Sequence, residues 1–521
     1  MKKLLALLLA CTMLAGCTAA PAETTAPAEP DTQPVPTVTE PFQVSGDVTE
    51  IRLDGQDITV TGNGSGVFTS RDIVYYENKT AYESGNPYGE GEDWERHTAA
   101  EATAHLVVNI SAPGSYRLSG KLDMGQIRID LGEDAYSDPN AVVNLILDGV
   151  EIICNVGPAI LFQNVYECDG KWSVDTAKSD VDTGSAGANL ILAGDSQNTV
   201  HGSHVAKIFK DKDGEKKLVK QDGAIYSYMS MNVYGPGSLD LYADNEGMDT
   251  ELHLTIWGGD INICSGNDGI NTNEDGVSVT AIHGGSLHIT AGLREEGDGI
   301  DSNGYLVIYG GTVISAAHPA SDAGLDSDLG SFIHGGTVIA LGSAMDWAES
   351  DSGQVTMNLQ FAGMQTGEIR ITREDGSEVF AFDPDKHELI GLNTRSYQGA
   401  IISCPAFRLG EGYHVFVDGT QMAYTGTDVM RHPGGGPSFP GGPGGAAPPD
   451  DMPNPPEGDF TLPPQPPEGD PAVPQGGPEG QTPPGFPGGP GGFGGGADGE
   501  SQTLFFMQDK VNFFSGLTPV E

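Results

Sequence analysis

Lysine and arginine are scarce in this sequence. Its 521 residues hold 25 of them against 73 Asp and Glu, a formal net charge of −48. A chain so acidic repels nucleic acid and anionic lipid headgroups and draws cations to itself. Cysteine is scarcer still, at six. Cys11 and Cys17 fall among the first residues, and Cys154, Cys168, Cys264 and Cys404 show no metal-type pair spacing, which argues against a zinc framework. Cys154 and Cys264 each follow an Ile and read as small core fillers, although Cys154 could instead bridge to Cys168. Beyond the first residues there is no long apolar run, so no later segment reads as a membrane-spanning helix. A 3.6-residue apolar period is missing too.

The first residues have a positive start, Lys2 and Lys3, and an apolar run from Leu4 to Ala10. Leu14-Ala15-Gly16-Cys17 follows and resembles the bacterial lipobox. That resemblance implies cleavage before Cys17, a lipid on its thiol and a protein held on the outer face of the cell membrane. Residues 18–44, rich in Pro, Ala, Thr and Glu, read as a disordered tether.

What the chain has in abundance is a repeat. Gly258-Gly259, Gly284-Gly285, Gly310-Gly311 and Gly335-Gly336 lie 26, 26 and 25 residues apart. An apolar residue and a ring precede each pair: Ile256-Trp257, Ile282-His283, Ile308-Tyr309 and Ile333-His334. Val233-Tyr234 before Gly235 is a looser copy. Short alternating runs follow, such as Ile261-Asn262-Ile263 and Leu287-His288-Ile289. A second motif interleaves, as in Asp268-Gly269-Ile270-Asn271-Thr272 and Asp298-Gly299-Ile300-Asp301-Ser302. A period near 25 built of short strands and glycine turns predicts an all-β solenoid, a right-handed parallel β-helix over residues 45–350. The tighter repeat of the calcium-binding nonapeptide roll is absent.

Around that repeat, residues 76–103 read as a long loop and 205–222 as a solvated basic hairpin. His201 and His204 have no third metal ligand in view. Residues 351–431 hold strands without the period and predict a small β cap over the open end. Residues 432–499 are mostly Gly and Pro and read as a disordered insertion, while 500–521 carry four Phe and predict a tail strand docked on the cap.

Gly114-Ser115-Tyr116-Arg117-Leu118-Ser119-Gly120, Asn144-Leu145-Ile146-Leu147-Asp148-Gly149-Val150, Asp222-Gly223-Ala224-Ile225-Tyr226-Ser227 and the Asp-Gly-Ile-Asp-Ser turns occur in that order, behind a lipobox. In this the chain resembles the carbohydrate-binding lipoproteins of anaerobic bacteria, over roughly residues 45–430. The resemblance implies a pectate-lyase-like β-helix that holds calcium in its turns. It further implies a surface protein that binds plant-type polysaccharide such as cellulose or polygalacturonate, as a monomer, without implying catalysis.

Two columns carry the chemistry. In a parallel β-helix, equivalent positions stack at about 4.8 Å. Asp249, Asn271, Asp301 and Asp326 should form one column, and Glu246, Asp268, Asp298 and Asp322 another, with Asp322 one residue out of step; Asn273, Asn303 and Asp328 follow. No nearby Lys or Arg offsets these carboxylates, so calcium, a ligand of hard oxygens, is the expected cofactor. The plainer reading is a row of turns that use Asp and Asn for their geometry. Tyr234, Trp257, His283, Tyr309 and His334 should form an outward strip on which sugar faces pack, with Asp260, Asn262 and His288 across the glycines taking hydroxyls. Rings of this kind also simply stabilise solenoids.

Lyases of this fold use an Arg or Lys base beside calcium. Between Lys220 and Arg370 the sole candidate is Arg294, flanked by Glu295 and Glu296, whose ordinary reading is a surface ion pair. Asp298 with Asp301 could act as the carboxylate pair of an inverting hydrolase but suits calcium better. The sequence therefore predicts a non-catalytic polysaccharide-binding lipoprotein, ahead of a calcium-dependent lyase or hydrolase and of a structural stalk or adhesin.

Overall fold

Parallel strand pairing dominates the chain. In the computed structural model, residues 46–79, 88–209, 217–294, 296–384, 395–427 and 501–520 are described, within the unit Val35–Glu521. Cys17, the tether at 18–44 and the insertion at 432–499 lie outside the described residues. The protein is all-β, with a sheet of 24 strands, one of nine and one of three.

The repeat sets the register. In the largest sheet Leu190, Val233, Ile256, Ile282, Ile308 and Ile333 pair in parallel, each with its counterpart in the next repeat. Across the glycines, Leu239, Ile261, Leu287, Val313 and Val338 do the same. The nine-stranded sheet stacks Ile127, Ile160, Ile225, Met248, Ile270 and Ile300. None of these side chains is more than 1% exposed, and all belong to one core cluster. A single repeat has no second face to cover its apolar side; its neighbours supply it.

The second glycine of each pair has a backbone reason. Gly259, Gly285, Gly311 and Gly336 have φ between 84° and 109°, where a side chain is strained. A Cβ on Gly285 would also lie 2.5 Å from the carbonyl oxygen of Gly259 in the repeat below. These glycines therefore serve the turn and the contact between repeats.

Departures from the parallel pattern frame it. The segment read as a loop over 76–103 contains a short helix, Ala99–Ala104, started by a reciprocal Thr98 and Glu101 cap. The strand Tyr88–Gly89 pairs with Val205–Phe209, which pairs with Lys217–Gln221; these form the three-stranded sheet. At the far end Thr337–Gly342 pairs antiparallel with Tyr397–Ser403, which pairs antiparallel with Thr356–Gln365. Val511–Pro519 joins Thr356–Gln365 in parallel, and Phe505 and Phe514 pack against Tyr424 with ring centroids 4.8–4.9 Å apart. Cys154, Cys168, Cys264 and Cys404 are all free thiols.

The stacked columns predict where stability resides. Ile270→Ala, within its column between Met248 and Ile300, should cost about 2–5 kcal/mol in urea unfolding. A change under about 1 kcal/mol would mean that the column does not hold the repeats together.

Candidate functional site

The carboxylates stand in the registers their spacing implies. Asp249 pairs with Asn271, Asn271 with Asp301 and Asp301 with Asp326 along the nine-stranded sheet. Beside them the backbone links Gly247 to Asp268, Gly269 to Asp298 and Gly299 to Ala323, so Glu246, Asp268 and Asp298 follow one another. Ala323 stands where the next acid would be. Asp322, one residue away, instead accepts a hydrogen bond from the Gly297 N–H at 2.9 Å. Asp268 and Asp298 each accept a backbone N–H from the following repeat, at 2.7 and 2.6 Å. Asn303 donates to the Asn273 carbonyl at 3.0 Å, and Asp328 lies at the exposed rim of the edge.

The tightest group lies at the start of this edge and includes a residue that sequence reasoning left out. Asp222, Glu246 and Asp249 bring carboxylate oxygens within 4.8 Å of one another, a group that could hold a metal ion. Asp222 opens Asp222-Gly223-Ala224-Ile225-Tyr226, a copy of the repeated turn in which Tyr226 replaces the second Asp, and that copy was the signal available. Glu246 and Asp249 are buried. Glu246 Oε2, Asp249 Oδ2 and Asn271 Oδ1 are buried oxygens with no hydrogen-bond partner. Orphan oxygens of this kind are costly unless a cation or a proton satisfies them, and a set made only of oxygens suits a hard divalent ion.

The expectation that no base offsets these acids is corrected. Lys220 reaches in from the hairpin and donates to Asp222 Oδ2 at 3.0 Å and to Asn273 Oδ1. Asn273 in turn donates to Asp249. Burial pulls the Lys220 pKa down, but Asp222, Asp249 and Glu246 outweigh it and hold the ammonium above its ordinary value. One cation serves three carboxylates at this end of the edge. Burial and then Glu246 raise Asp268; burial and then Asp298 raise Asp301. Burial, with Asp326 close by, pushes Asp298 up to about 8 and Asp346 up to about 7.

The sequence reads Arg294 as a surface ion pair with Glu295 and Glu296, of which Glu295 lies outside the described residues. Its guanidinium carbon lies 4.9 Å from the centre of the Trp94 ring, and its charge acts on buried Asp244. Asp244 and Glu95 grip His204 from both sides, at 3.0 and 2.8 Å. Burial disfavours the His204 imidazolium, but the two carboxylates override it and raise its pKa to about 10. This buried charged network fastens the Asp93–Glu95 turn to the repeats.

The five rings form a continuous ladder of half-buried side chains. Centroids are 6.2 Å apart from Tyr234 to Trp257, 4.1 Å from Trp257 to His283, 4.6 Å from His283 to Tyr309 and 5.4 Å from Tyr309 to His334. The first three pairs are parallel within 13°. Planes that close can only be face to face, so the rings spend their faces on one another and turn edges outward. The expected face-on packing of sugars along the strip is corrected accordingly: its middle offers edges. Burial brings His283 down to about 4, so the ladder carries no charge there at neutral pH.

Across the glycines Asp240, Asn262 and His288 stack in register, and Asp260 pairs between Ser238 and Ser286. Asn262 donates to Asp240 at 2.8 Å, and His288 Nε2 lies 3.1 Å from Ser286 Oγ. Ring edges and this polar ladder thus flank a trough floored by glycine. Beside the ring ladder runs the segment 166–187, pinned where Ser230 donates to Glu167 and Thr183 donates to Asn232 at 2.8 Å. Trp257 Nε1 donates to the same Asn232, at 3.3 Å.

The raised carboxyls predict a pH profile for chelator-treated protein. A group raised in the folded state contributes stability that is complete below its unfolded value, about 3.9 for Asp, and lost as pH rises through the folded value. For Asp346 and Asp298 that window closes near pH 7 to 8. The melting temperature of the chelated protein should therefore fall between pH 6 and 9. A level profile would show that these acids do not face one another in solution.

Comparison with known proteins follows from this geometry. No curated protein matches the chain. A solved structure, the polysaccharide lyase-like protein from C. thermocellum as a gadolinium derivative, is similar over 56% of this chain and 93% of its own. Its identity is 21% and its TM-score 0.34, a likeness too low to support an argument. Residues 105–381, more than half of the chain and the span that holds both ladders, match the model of the carbohydrate-binding domain-containing protein family, and the chain belongs to that family.

Proposed function

We propose that this chain is a right-handed parallel β-helix, anchored by lipid at Cys17 on the outer face of the cell membrane, that binds polysaccharide without cleaving it. The observation that carries the reading is the family match over residues 105–381. Within that span, the trough between the ring edges and the Asp240–Asn262–His288 ladder suits an extended glycan. Tyr309 and Trp257 present ring edges from one side, while Asp260, Asn262 and His288 meet hydroxyls from the other. The repeat of about 4.8 Å per strand lets one set of contacts recur along a polymer, which raises affinity through many weak contacts.

Calcium is the ion that best suits the acidic edge. Glu246, Asp249 and Asn271 supply orphan oxygens that would hold it and Asp222 a further carboxylate beside them, with Asp268, Asn273, Asp298, Asp301, Asn303, Asp322, Asp326 and Asp328 as the remaining oxygen donors along the same edge. Bound there, the ion supplies positive charge that lets the carboxylates stack while ionised. Its role is to hold the repeats in register beneath the glycan. Arg294, the base a lyase reading would call on, sits against the Trp94 ring and acts on buried Asp244, away from the trough-side ladder of Asp240, Asn262 and His288 that the binding reading uses.

Two measurements check the reading. Affinity electrophoresis on cellulose, xylan and polygalacturonate should retard the wild-type protein on at least one of them. Replacing Trp257 and Tyr309 together by Ala should remove most of that retardation; equal retardation by the double variant would move the site off the trough. Chelation should lower the melting temperature and calcium restore it, by about 2.7 kcal/mol per site at 100 times the dissociation constant. Magnesium should restore less, because it holds its waters and demands octahedral geometry. No response to either ion would leave the acids as turn residues only.

A further inference from the structure

The column that carries Asp249, Asn271, Asp301 and Asp326 continues in the other direction. Tyr226 stacks on Asp249, Leu161 on Tyr226, Arg128 on Leu161 and Asn109 on Arg128. Phe68, on the antiparallel strand Val67–Ser70, pairs opposite Asn109 and ends the row. Leu161 and Tyr226 are buried. At the Phe68 end the row opens into a cleft of about 350 Å³, lined by Phe68, Asn109, Arg128, Asp130 and Leu131 among others. That is within the range of about 300–1,000 Å³ typical of small-molecule sites.

The walls of this cleft are held in place by their own hydrogen bonds. Asn109, 4% exposed, donates to Ser70 Oγ at 2.9 Å and accepts from Arg128 Nε at 2.8 Å. Arg128 Nη2 donates to both Asp72 oxygens at 3.1 Å. Asp130 Oδ1 accepts from the Gly132 N–H at 3.0 Å and from Asn164 at 2.8 Å. Two polar atoms are left without a protein partner among the described residues, the donor Arg128 Nη1 and the acceptor Asp130 Oδ2. Beside them the Phe68 ring is 52% exposed, so part of it is open to a ligand in the cleft.

A fixed donor, a fixed acceptor and an exposed ring in one cleft match a sugar ring, which has an apolar C–H face and a rim of hydroxyls that each donate and accept. The charge of the cleft selects further. Arg128 is offset by Asp72, and Asp130 adds a second negative charge, so a carboxylated sugar is repelled. We infer that the cleft of Phe68, Asn109, Arg128, Asp130 and Leu131 is a second carbohydrate site, which grips a single neutral pyranose at a glycan end or branch. It is separate from the glycine trough, and its test does not depend on the trough.

Saturation-transfer NMR and calorimetry on the full chain, with cellobiose, xylobiose, mannobiose, lactose and digalacturonate as probes, test this directly. At least one neutral disaccharide should bind, with saturation transfer strongest on the ring that enters the cleft. Phe68→Ala should weaken it by roughly three- to tenfold, the scale of one aromatic contact, and Phe68→Trp should restore it. Because the ring is half exposed, both variants should melt as the wild type does. Asp130→Asn, which keeps the side-chain shape, should weaken the same ligand and serves as the second readout. The proposal is overturned if no neutral disaccharide binds, if Phe68→Ala binds as tightly as wild type, or if digalacturonate binds more tightly than the neutral probes.

Discussion

In-register parallel pairing stacks each residue on its own counterpart, and the rest of this structure follows from that constraint. For Ile it is favourable, since each repeat completes the cover of the last. For rings it is favourable as well, and the Trp257–His283–Tyr309 ladder results. For carboxylates it is costly, because the same spacing that packs isoleucines brings like charges together. The acidic edge is therefore a place where the fold opposes its own side chains. Lys220, shared protons and buried backbone donors relieve only part of that opposition, which leaves a standing demand for cations.

Much of this was legible because the repeat is punctuated. Double glycines and the Asp-Gly-Ile turn fixed the phase of each repeat, and the columns read from them stand in register in the structure. What escaped has identifiable causes. Asp222 sits in a turn whose second acid is Tyr226, so the pattern was broken at the position that matters most. Lys220 lay in a segment whose charge looked like ordinary solvation, and only the hairpin pairing aims it inward. The partner of Arg294 is Trp94, 200 residues earlier in the sequence, for which no local pattern exists. Asp322 looked like a column member displaced by one residue; that single step moved it to a backbone contact and left Ala323 in the row.

The ring strip teaches a different limit. Sequence phase placed five rings outward in one line but could not say how their planes lie. Plane orientation comes from contacts between repeats, and those contacts favour rings on rings. A strip read as faces becomes a strip of edges, and a glycan bound there as proposed would be held by hydrogen bonds more than by apolar packing.

The strand Val511–Pro519 lies beside Thr356–Gln365, and the run of Gly and Pro separates the two in sequence. Val511–Pro519 is thus made some 150 residues after the strand it pairs with. Until it emerges, Thr356–Gln365 has one edge unpaired, of the kind that recruits foreign strands. A chain still in synthesis would carry that open edge, while its repeats could already be stacked from the other end. Conversely, a single cut in the intervening run would leave two fragments joined by a full strand pairing and a buried cluster of aromatic rings. Such a nicked protein would keep its outline in solution and separate only when denatured.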